Sequence, residues 1–143
     1  MADTITEFKR YVFVYGTLRR GEQRDINLLL PTPLFIGYGK TPGVLYDLGA
    51  YPGVRLGGGG FVHGEVYEIS AEVERQLDEI EEVWPQQTEE YSRQKVRVAF
   101  TDASVASEVG LDQTCLVYEA SVQRTAGRCV MASGDWLQRS LRA

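Results

Sequence analysis

YVFVYGTL, at residues 11–18, is an aromatic and β-branched run that is interrupted by Gly16. Such a run predicts a buried strand, and the glycine predicts a tight turn at the end of that strand. Because glycine has no Cβ, a turn of this kind can present backbone N–H groups to a carboxylate or a developing oxyanion. Strands that end in glycine are also commonplace, so the turn by itself does not establish a function.

The sequence after this turn predicts more strands than helices. Residues 22–30 predict a short helix that ends before Pro31. Apolar bursts separated by glycine follow at residues 34–36, 43–46, 54–56 and 62–69. This spacing is typical of an antiparallel sheet or barrel, and the glycines at residues 57–60 predict a flexible turn rather than a phosphate-binding loop.

The second half of the chain predicts one longer helix and further strands. Ser70 is a favourable N-cap for a helix over residues 71–82, because acidic side chains follow in its first turn. Alternating apolar residues predict strands at residues 93–100 and 114–120, and residues 133–141 predict a capped terminal helix. Because no regular βαβ alternation occurs, the sequence predicts an α+β fold.

The predicted longer helix carries several acidic residues, and helical geometry separates them. If Val73 is set at zero and each residue turns by about 100°, Glu81 falls at about 80° and Glu82 at about 180°. Glu81 therefore borders the apolar stripe on the same flank as Glu74 and Asp78. Partial burial beside like charges is expected to raise its pKa, which suits a general base. A solvated acidic helix end is the alternative interpretation.

Composition and charge argue against several functional classes. The net charge is −5, and no basic cluster occurs beyond Arg19-Arg20, so nucleic acid is not expected as a partner. No apolar run approaches the roughly 20 residues needed to cross a membrane, and the start of the chain is not leader-like. We therefore expect one cytoplasmic domain over residues 1–143, with its oligomeric state left open.

The sequence offers little for metal or cofactor chemistry. His63 is the single histidine and lies in a strand pattern, where a structural role is more common than catalysis. Cys115 and Cys129 lie in apolar, strand-like sequence without CxxC spacing, so both are expected to be buried, reduced thiols, with a disulfide between them as the alternative. A metal site would have to rely on the acidic residues of the predicted helix alone. We expect neither a metal nor a cofactor.

Five motifs follow one another along the chain. They are YGTLRRG at residues 15–21 with Asn27, GAYPG at 49–53, VHGEVY at 62–67, LDEIE at 77–81 and YSR at 91–93. Together these motifs resemble the gamma-glutamylcyclotransferase-like family, which includes gamma-glutamylamine cyclotransferase and the AIG2-like proteins. The resemblance runs from Tyr11 to about Tyr118, and the ordered set is far more specific than any single motif.

The resemblance implies a small, mostly antiparallel β-barrel with flanking helices. It also implies that Glu81 is catalytic and that Tyr15, Gly16, Thr17 and Leu18 hold the glutamyl group of a small γ-glutamyl substrate. In the implied reaction, Glu81 takes a proton from the α-ammonium group and the freed amine attacks the γ-carbonyl of the same molecule. The products are 5-oxoproline and an amine or amino acid, and the reaction requires no cofactor.

Two features leave the details of the site open. Tyr51 and Tyr91 are further candidates for substrate binding, although aromatic residues at strand ends more often belong to the core. Glu82 stands where the family usually has glycine, and the stretch at residues 83–90 is longer and more acidic than the family suggests. An acidic rim of this kind would favour a cationic leaving group.

Two alternatives to a cyclotransferase are consistent with the residues. One is a non-catalytic module that binds a carboxylate-bearing small molecule, because a fold does not establish an activity. The other is an enzyme on the same fold that transfers or hydrolyses an amide.

Overall fold

A computed structural model describes residues 9–81, 91–101 and 112–138. In chain order the elements are β1 (Arg10–Val14), β2 (Leu34–Asp47), β3 (Pro52–Ile69), α1 (Ala71–Ile80), β4 (Tyr91–Phe100), β5 (Asp112–Ala120), α2 (Val122–Thr125) and β6 (Cys129–Val130). Strands β3, β1, β5, β4 and β2 are neighbours in that order, and β2 also pairs with β3, so they close into a barrel. Strands β1 and β5 run parallel, whereas the other barrel pairings are antiparallel. The predicted α+β class and mostly antiparallel barrel are confirmed.

Strand β1 is buried on both faces, which explains its continuous apolar sequence. Phe13 packs in the barrel interior with residues from the other barrel strands. Val12 and Val14 point the other way and pack with Val73 and Leu77 of α1. A strand that is covered on both sides does not need alternating polar residues. Strand β1 therefore separates the barrel interior from the layer beneath the helix.

Strands β2 and β3 are much longer than the predicted apolar bursts. Each strand continues through several of the glycines that separate those bursts in the sequence. A Cβ on Gly39 would lie 2.5 Å from Cγ1 of Val98. A Cβ on Gly64 would lie 2.3 Å from the carbonyl oxygen of Val14. These glycines therefore allow close approach between neighbouring strands, and they do not mark turns.

The turn predicted at residues 57–60 lies inside β3 and does not separate two strands. Gly43 pairs with Leu56 and Pro42 pairs with Phe61, so residues 57–60 form a bulge between these two pairs. All four residues of the bulge are exposed to solvent. The prediction is corrected from a turn to a bulge.

Helix α1 begins at its predicted N-cap. The side-chain oxygen of Ser70 accepts a hydrogen bond from the N–H of Val73 at 3.1 Å. The helix spans Ala71–Ile80, and Glu81 is its C-cap. Glu82, the last residue of the predicted helix, lies outside the described residues.

The predictions of helices at residues 22–30 and 133–141 are wrong, because the described residues of these ranges form no α-helix. Each range contains a short 3₁₀ turn instead, at Ile26–Leu28 and Trp136–Gln138. In the first range the Asp25 carboxylate accepts hydrogen bonds from the N–H groups of Gly21 and Asn27. Such local bonds compete with helical ones. No helix in the described ranges is long and apolar enough to cross a membrane.

The two cysteines are free thiols in different environments. Cys115 is buried in the barrel interior as predicted, and burial raises its pKa to about 12. Cys129 is exposed, contrary to the prediction, because β6 pairs with β2 at the edge of the sheet.

This difference predicts selective alkylation of the native protein. At about pH 8, iodoacetamide should modify Cys129 and leave Cys115 intact, because the reactive species is an accessible thiolate. Mass spectrometry should find one modified thiol in the native protein and two after unfolding. A Cys129→Ser variant should remain unmodified until it unfolds. Equal rates of modification at both cysteines would contradict the described packing.

Candidate active site

A cavity of about 130 Å³ lies at the end of β1, between the turn that follows β1, the start of β3 and the end of α1. Its lining residues are Phe13, Val14, Tyr15, Gly16, Thr17, Leu18, Arg24, Tyr51, Pro52, Ile80, Glu81, Tyr91 and Tyr118. Among the described residues, the lining thus combines aromatic and aliphatic residues with one acidic and one basic residue.

The turn after β1 is held in place through its carbonyl groups. The carbonyl oxygen of Gly16 accepts a hydrogen bond from the N–H of Arg19 at 3.0 Å. The carbonyl oxygen of Thr17 accepts one from the N–H of Arg24 at 2.8 Å. Within residues 9–81, 91–101 and 112–138, the N–H groups of Thr17 and Leu18 donate no hydrogen bond. The turn therefore has backbone donors beside the cavity that the described residues do not use.

Gly16 is required by a close contact. A Cβ on Gly16 would lie 2.6 Å from Cγ of Pro52 and 2.7 Å from its Cδ. Because the proline ring is rigid, any larger residue would push the turn away from the start of β3. This contact is a different reason for the glycine from the one predicted above, which was access of a ligand to the backbone.

A buried ion pair fixes the turn to β3. Nε of Arg19 donates to Oε2 of Glu65 at 2.9 Å, and the two side chains are 4% and 3% exposed. The other carboxylate oxygen of Glu65 accepts hydrogen bonds from the N–H of Arg20 at 3.0 Å and the hydroxyl of Tyr67 at 2.9 Å. Nη1 of Arg19 also donates to Asp135 at 2.8 Å. This network joins the turn, the barrel and the segment after β6.

Glu81 is brought to the cavity by the anchoring of α1. Asp78, one turn earlier, accepts hydrogen bonds from the hydroxyl of Tyr118 at 2.6 Å and from Nη1 of Arg93 at 2.8 Å. These bonds hold the end of the helix against β4 and β5. Glu81 follows as the C-cap, half-buried at the wall of the cavity. This position agrees with the predicted location at the border of the apolar stripe.

Arginine side chains offset the acidic flank of α1. Glu74 pairs with Arg10 and Arg93, and Asp78 also pairs with Arg93. The like-charge repulsion expected from the sequence is therefore reduced, because both carboxylates have a nearby counter-charge. Among the described side chains, no group of three or more His, Cys, Asp or Glu residues is arranged to hold a metal ion.

The hydroxyl groups of two tyrosines at the cavity stay protonated near neutral pH. Burial raises the pKa of Tyr15 well above its ordinary value, and the charge of Glu81 also contributes. Burial, together with the hydrogen bond to Asp78, raises the pKa of Tyr118. The hydroxyl of Tyr15 donates to the carbonyl oxygen of Tyr118 at 2.8 Å and accepts from the N–H of Val54 at 3.3 Å. Tyr15 therefore links the turn to β5 and β3.

Tyr51 and Tyr91 line the cavity and also make structural contacts. The hydroxyl of Tyr51 accepts a hydrogen bond from Arg124, whose guanidinium carbon lies 5.5 Å from the centroid of the tyrosine ring. The hydroxyl of Tyr91 donates to the carbonyl oxygen of Pro52 at 3.2 Å. Each ring is therefore held in place at the wall of the cavity.

Every residue nominated from the sequence lies at this cavity, namely Tyr15, Gly16, Thr17, Leu18, Tyr51, Glu81 and Tyr91. Sequence reasoning missed Arg24 and Tyr118. Arg24 was assigned to a helix, and its hydrogen bond to Thr17 has no local sequence signal. Tyr118 reaches the cavity through barrel closure, which brings β5 beside β1.

Comparison with known proteins identifies the family. The sequence pattern described as "Gamma-glutamyl cyclotransferase, AIG2-like" matches residues 12–138. The chain belongs to this family. It is 36% identical to a Vibrio cholerae protein provisionally named gamma-glutamylcyclotransferase, over 90% of this chain and 96% of the relative. It is 32% identical to the gamma-glutamylcyclotransferase family protein YtfP of Escherichia coli K12, over the same shares of the two chains.

A solved structure supports the same family assignment. The crystal structure of an AIG2-like protein from Mus musculus superposes with a TM-score of 0.71 and 26% sequence identity, over 88% of each chain. The resemblance recognised from the motifs is therefore confirmed. As a member of the gamma-glutamyl cyclotransferase, AIG2-like family, the chain is an enzyme of the gamma-glutamylcyclotransferase type.

The Arg19–Glu65 pair predicts a large loss of stability when one charge is removed. Glu65→Gln should lower the free energy of unfolding by about 3 kcal/mol, because it removes the buried counter-charge of the Arg19 guanidinium and leaves it paired only with the less buried Asp135. Asp112→Asn is a matched control, since Asp112 pairs with Arg97 through side chains that are 39% and 71% exposed. This control should cost less than about 1 kcal/mol. Urea unfolding of both variants measures the difference, and equal losses would contradict the importance of the buried pair.

Proposed function

We propose that this enzyme converts γ-glutamyl amides into 5-oxoproline and a free amine or amino acid, with Glu81 as the proton-transferring residue. The observation that carries the proposal is the meeting of a half-buried carboxylate, Glu81, and the Tyr15–Leu18 turn at one small cavity. Family membership supports the reaction type. The resemblance noted in the sequence supports the role of each residue.

The size of the cavity suits this reaction. Its volume is about 130 Å³, and a cavity of about 150 Å³ is large enough to hold a benzene ring. The five-membered lactam ring with its carbonyl oxygen has as many non-hydrogen atoms as benzene, so the cavity is close in size to the ring that forms. The leaving group would extend from the open side of the cavity, which is consistent with a site that recognises mainly the acyl half of its substrate.

Glu81 moves protons from one nitrogen to the other in the proposed mechanism. It takes a proton from the α-ammonium group, and the resulting amine attacks the γ-carbonyl carbon of the same molecule. As the carbon–nitrogen bond to the leaving group breaks, Glu81 returns a proton to the departing nitrogen. A second proton follows from the ring nitrogen, so the products are a neutral lactam nitrogen and a protonated amine.

The turn after β1 stabilises the intermediate in this proposal. Attack on the γ-carbonyl places negative charge on its oxygen, and the N–H groups of Thr17 and Leu18 are suitable donors for that oxyanion. Tyr15 and Pro52 hold the turn in position. Because attack is intramolecular, correct placement of the amine supplies much of the rate acceleration. Tyr51 and Tyr91 are proposed to form the walls that enforce this placement.

The identity of the leaving amine is not part of the proposal. The acidic stretch at residues 82–90, which led to the expectation of a cationic leaving group, lies outside the described residues.

The first test measures 5-oxoproline formed from a panel of γ-glutamyl amino acids and γ-glutamylamines. Glu81→Gln should lower kcat by about 100-fold or more on any substrate that reacts, because the amide cannot transfer the proton. Glu79→Gln is the matched control, since Glu79 lies on the same helix and is exposed. This control should keep nearly full activity. Unchanged activity of Glu81→Gln, or no 5-oxoproline from any substrate, would contradict the proposal.

A further inference from the structure

Arg24 is the only lysine or arginine among the described residues that line the active-site cavity. The hydrogen bond from its N–H to the carbonyl oxygen of Thr17, at 2.8 Å, holds its backbone beside the turn. Arg24 was assigned no role by the sequence motifs. Arg24 therefore lies at the same cavity as Glu81 and is exposed to solvent.

The acidic neighbours of Arg24 in the sequence are engaged elsewhere. The Asp25 carboxylate accepts hydrogen bonds from the N–H of Gly21 at 2.9 Å, the N–H of Asn27 at 2.9 Å and the side-chain amide of Asn27 at 2.8 Å. Glu22 accepts a hydrogen bond from the indole of Trp136 at 3.2 Å. Neither carboxylate forms an ion pair with Arg24 within the described structure.

The substrate class proposed above needs a positive charge at this site. A γ-glutamyl group carries its α-amine and its α-carboxylate on one carbon atom, so a site that places the amine at Glu81 must also accommodate the carboxylate. Bringing a carboxylate into a partly apolar cavity is unfavourable unless it is paired. Guanidinium groups match carboxylates well because they donate two parallel hydrogen bonds.

We propose that Arg24 binds the α-carboxylate of the γ-glutamyl group and thereby selects γ-glutamyl substrates over analogues that lack this carboxylate. The inference rests on the proposed function, in which Glu81 acts on the neighbouring amine. Arg24 and Glu81 then hold the two charged groups of the same α-carbon, and this fixes the direction from which the amine meets the γ-carbonyl.

The first test compares a γ-glutamyl amide with the 4-aminobutyryl amide of the same amine, which lacks only the carboxylate. Arg24→Ala should lower kcat/KM for the γ-glutamyl amide by about tenfold, mainly through KM, and should leave the 4-aminobutyryl amide unaffected. Arg24→Lys should recover part of the loss. Arg128→Ala, which removes an exposed arginine outside this cavity, controls for the change in net charge. An equal loss on both substrates would overturn the inference.

The leaving group offers a second carboxylate when it is an amino acid, so both kinds of leaving group must be tested. If Arg24 binds the α-carboxylate, Arg24→Ala should lower kcat/KM for γ-glutamyl amino acids and for γ-glutamylamines by similar factors. A loss confined to γ-glutamyl amino acids would assign Arg24 to the leaving group and would overturn the inference.

A binding measurement separates this inference from the proposed chemistry, because it needs no turnover. Isothermal titration should show that 5-oxoproline binds the parent protein and the Glu81→Gln variant, and that Arg24→Ala weakens this binding by about tenfold. 2-Pyrrolidinone, which lacks the carboxylate, should bind the parent protein and Arg24→Ala with equal affinity. Equal binding of 5-oxoproline to the parent protein and Arg24→Ala, or no binding to either, would overturn the role of Arg24. Failure of Glu81→Gln to lose activity would overturn only the proposed mechanism.

Discussion

The turn after β1 depends on a charged contact that is shielded from water, between the guanidinium of Arg19 and the carboxylate of Glu65 at 2.9 Å. Burial of either group alone would be strongly unfavourable, and each is stable there because the other supplies the opposite charge and hydrogen-bonding partners. The turn has little regular secondary structure of its own. Its position is therefore set by where β3 places Glu65.

The opposite wall of the cavity is positioned independently of this ion pair. Asp78 anchors the last turn of α1 to Tyr118 and Arg93, and Glu81 follows at the helix end. A helix end is usually less rigid than a helix centre, so this anchor matters for the placement of a carboxylate. The contact between Gly16 and Pro52 then sets how closely the turn approaches the start of β3.

The sequence predicts the elements whose signals are local. The apolar run of β1 and the N-cap and apolar stripe of α1 each depend on neighbouring residues, and both elements form where expected. The angular positions of helical residues also separate Glu81 from Glu82. The helix predicted over residues 22–30 fails, because the hydrogen bonds of Asp25 compete with a helix and propensity alone does not reveal them.

Features that depend on distant partners are not predictable in this way. The glycines of β2 and β3 resemble turn signals, yet Gly39 and Gly64 are explained by Val98 and Val14, which approach them from neighbouring strands. Arg24 carries no motif and reaches the cavity through a hydrogen bond to the turn. The family resemblance by itself implies that the turn and Glu81 belong to one site. It did not indicate which charge would meet the substrate carboxylate.

In the proposed reaction the α-amine of the substrate, and not water, attacks the γ-carbonyl. Turnover of a reactive γ-glutamyl amide in water enriched in oxygen-18, with mass analysis of the products, distinguishes the two nucleophiles. Attack by the amine should give 5-oxoproline without solvent oxygen and no accumulation of glutamate, because ring closure uses only atoms of the substrate. Glutamate that carries oxygen-18 in its γ-carboxylate would show hydrolysis and would contradict attack by the amine.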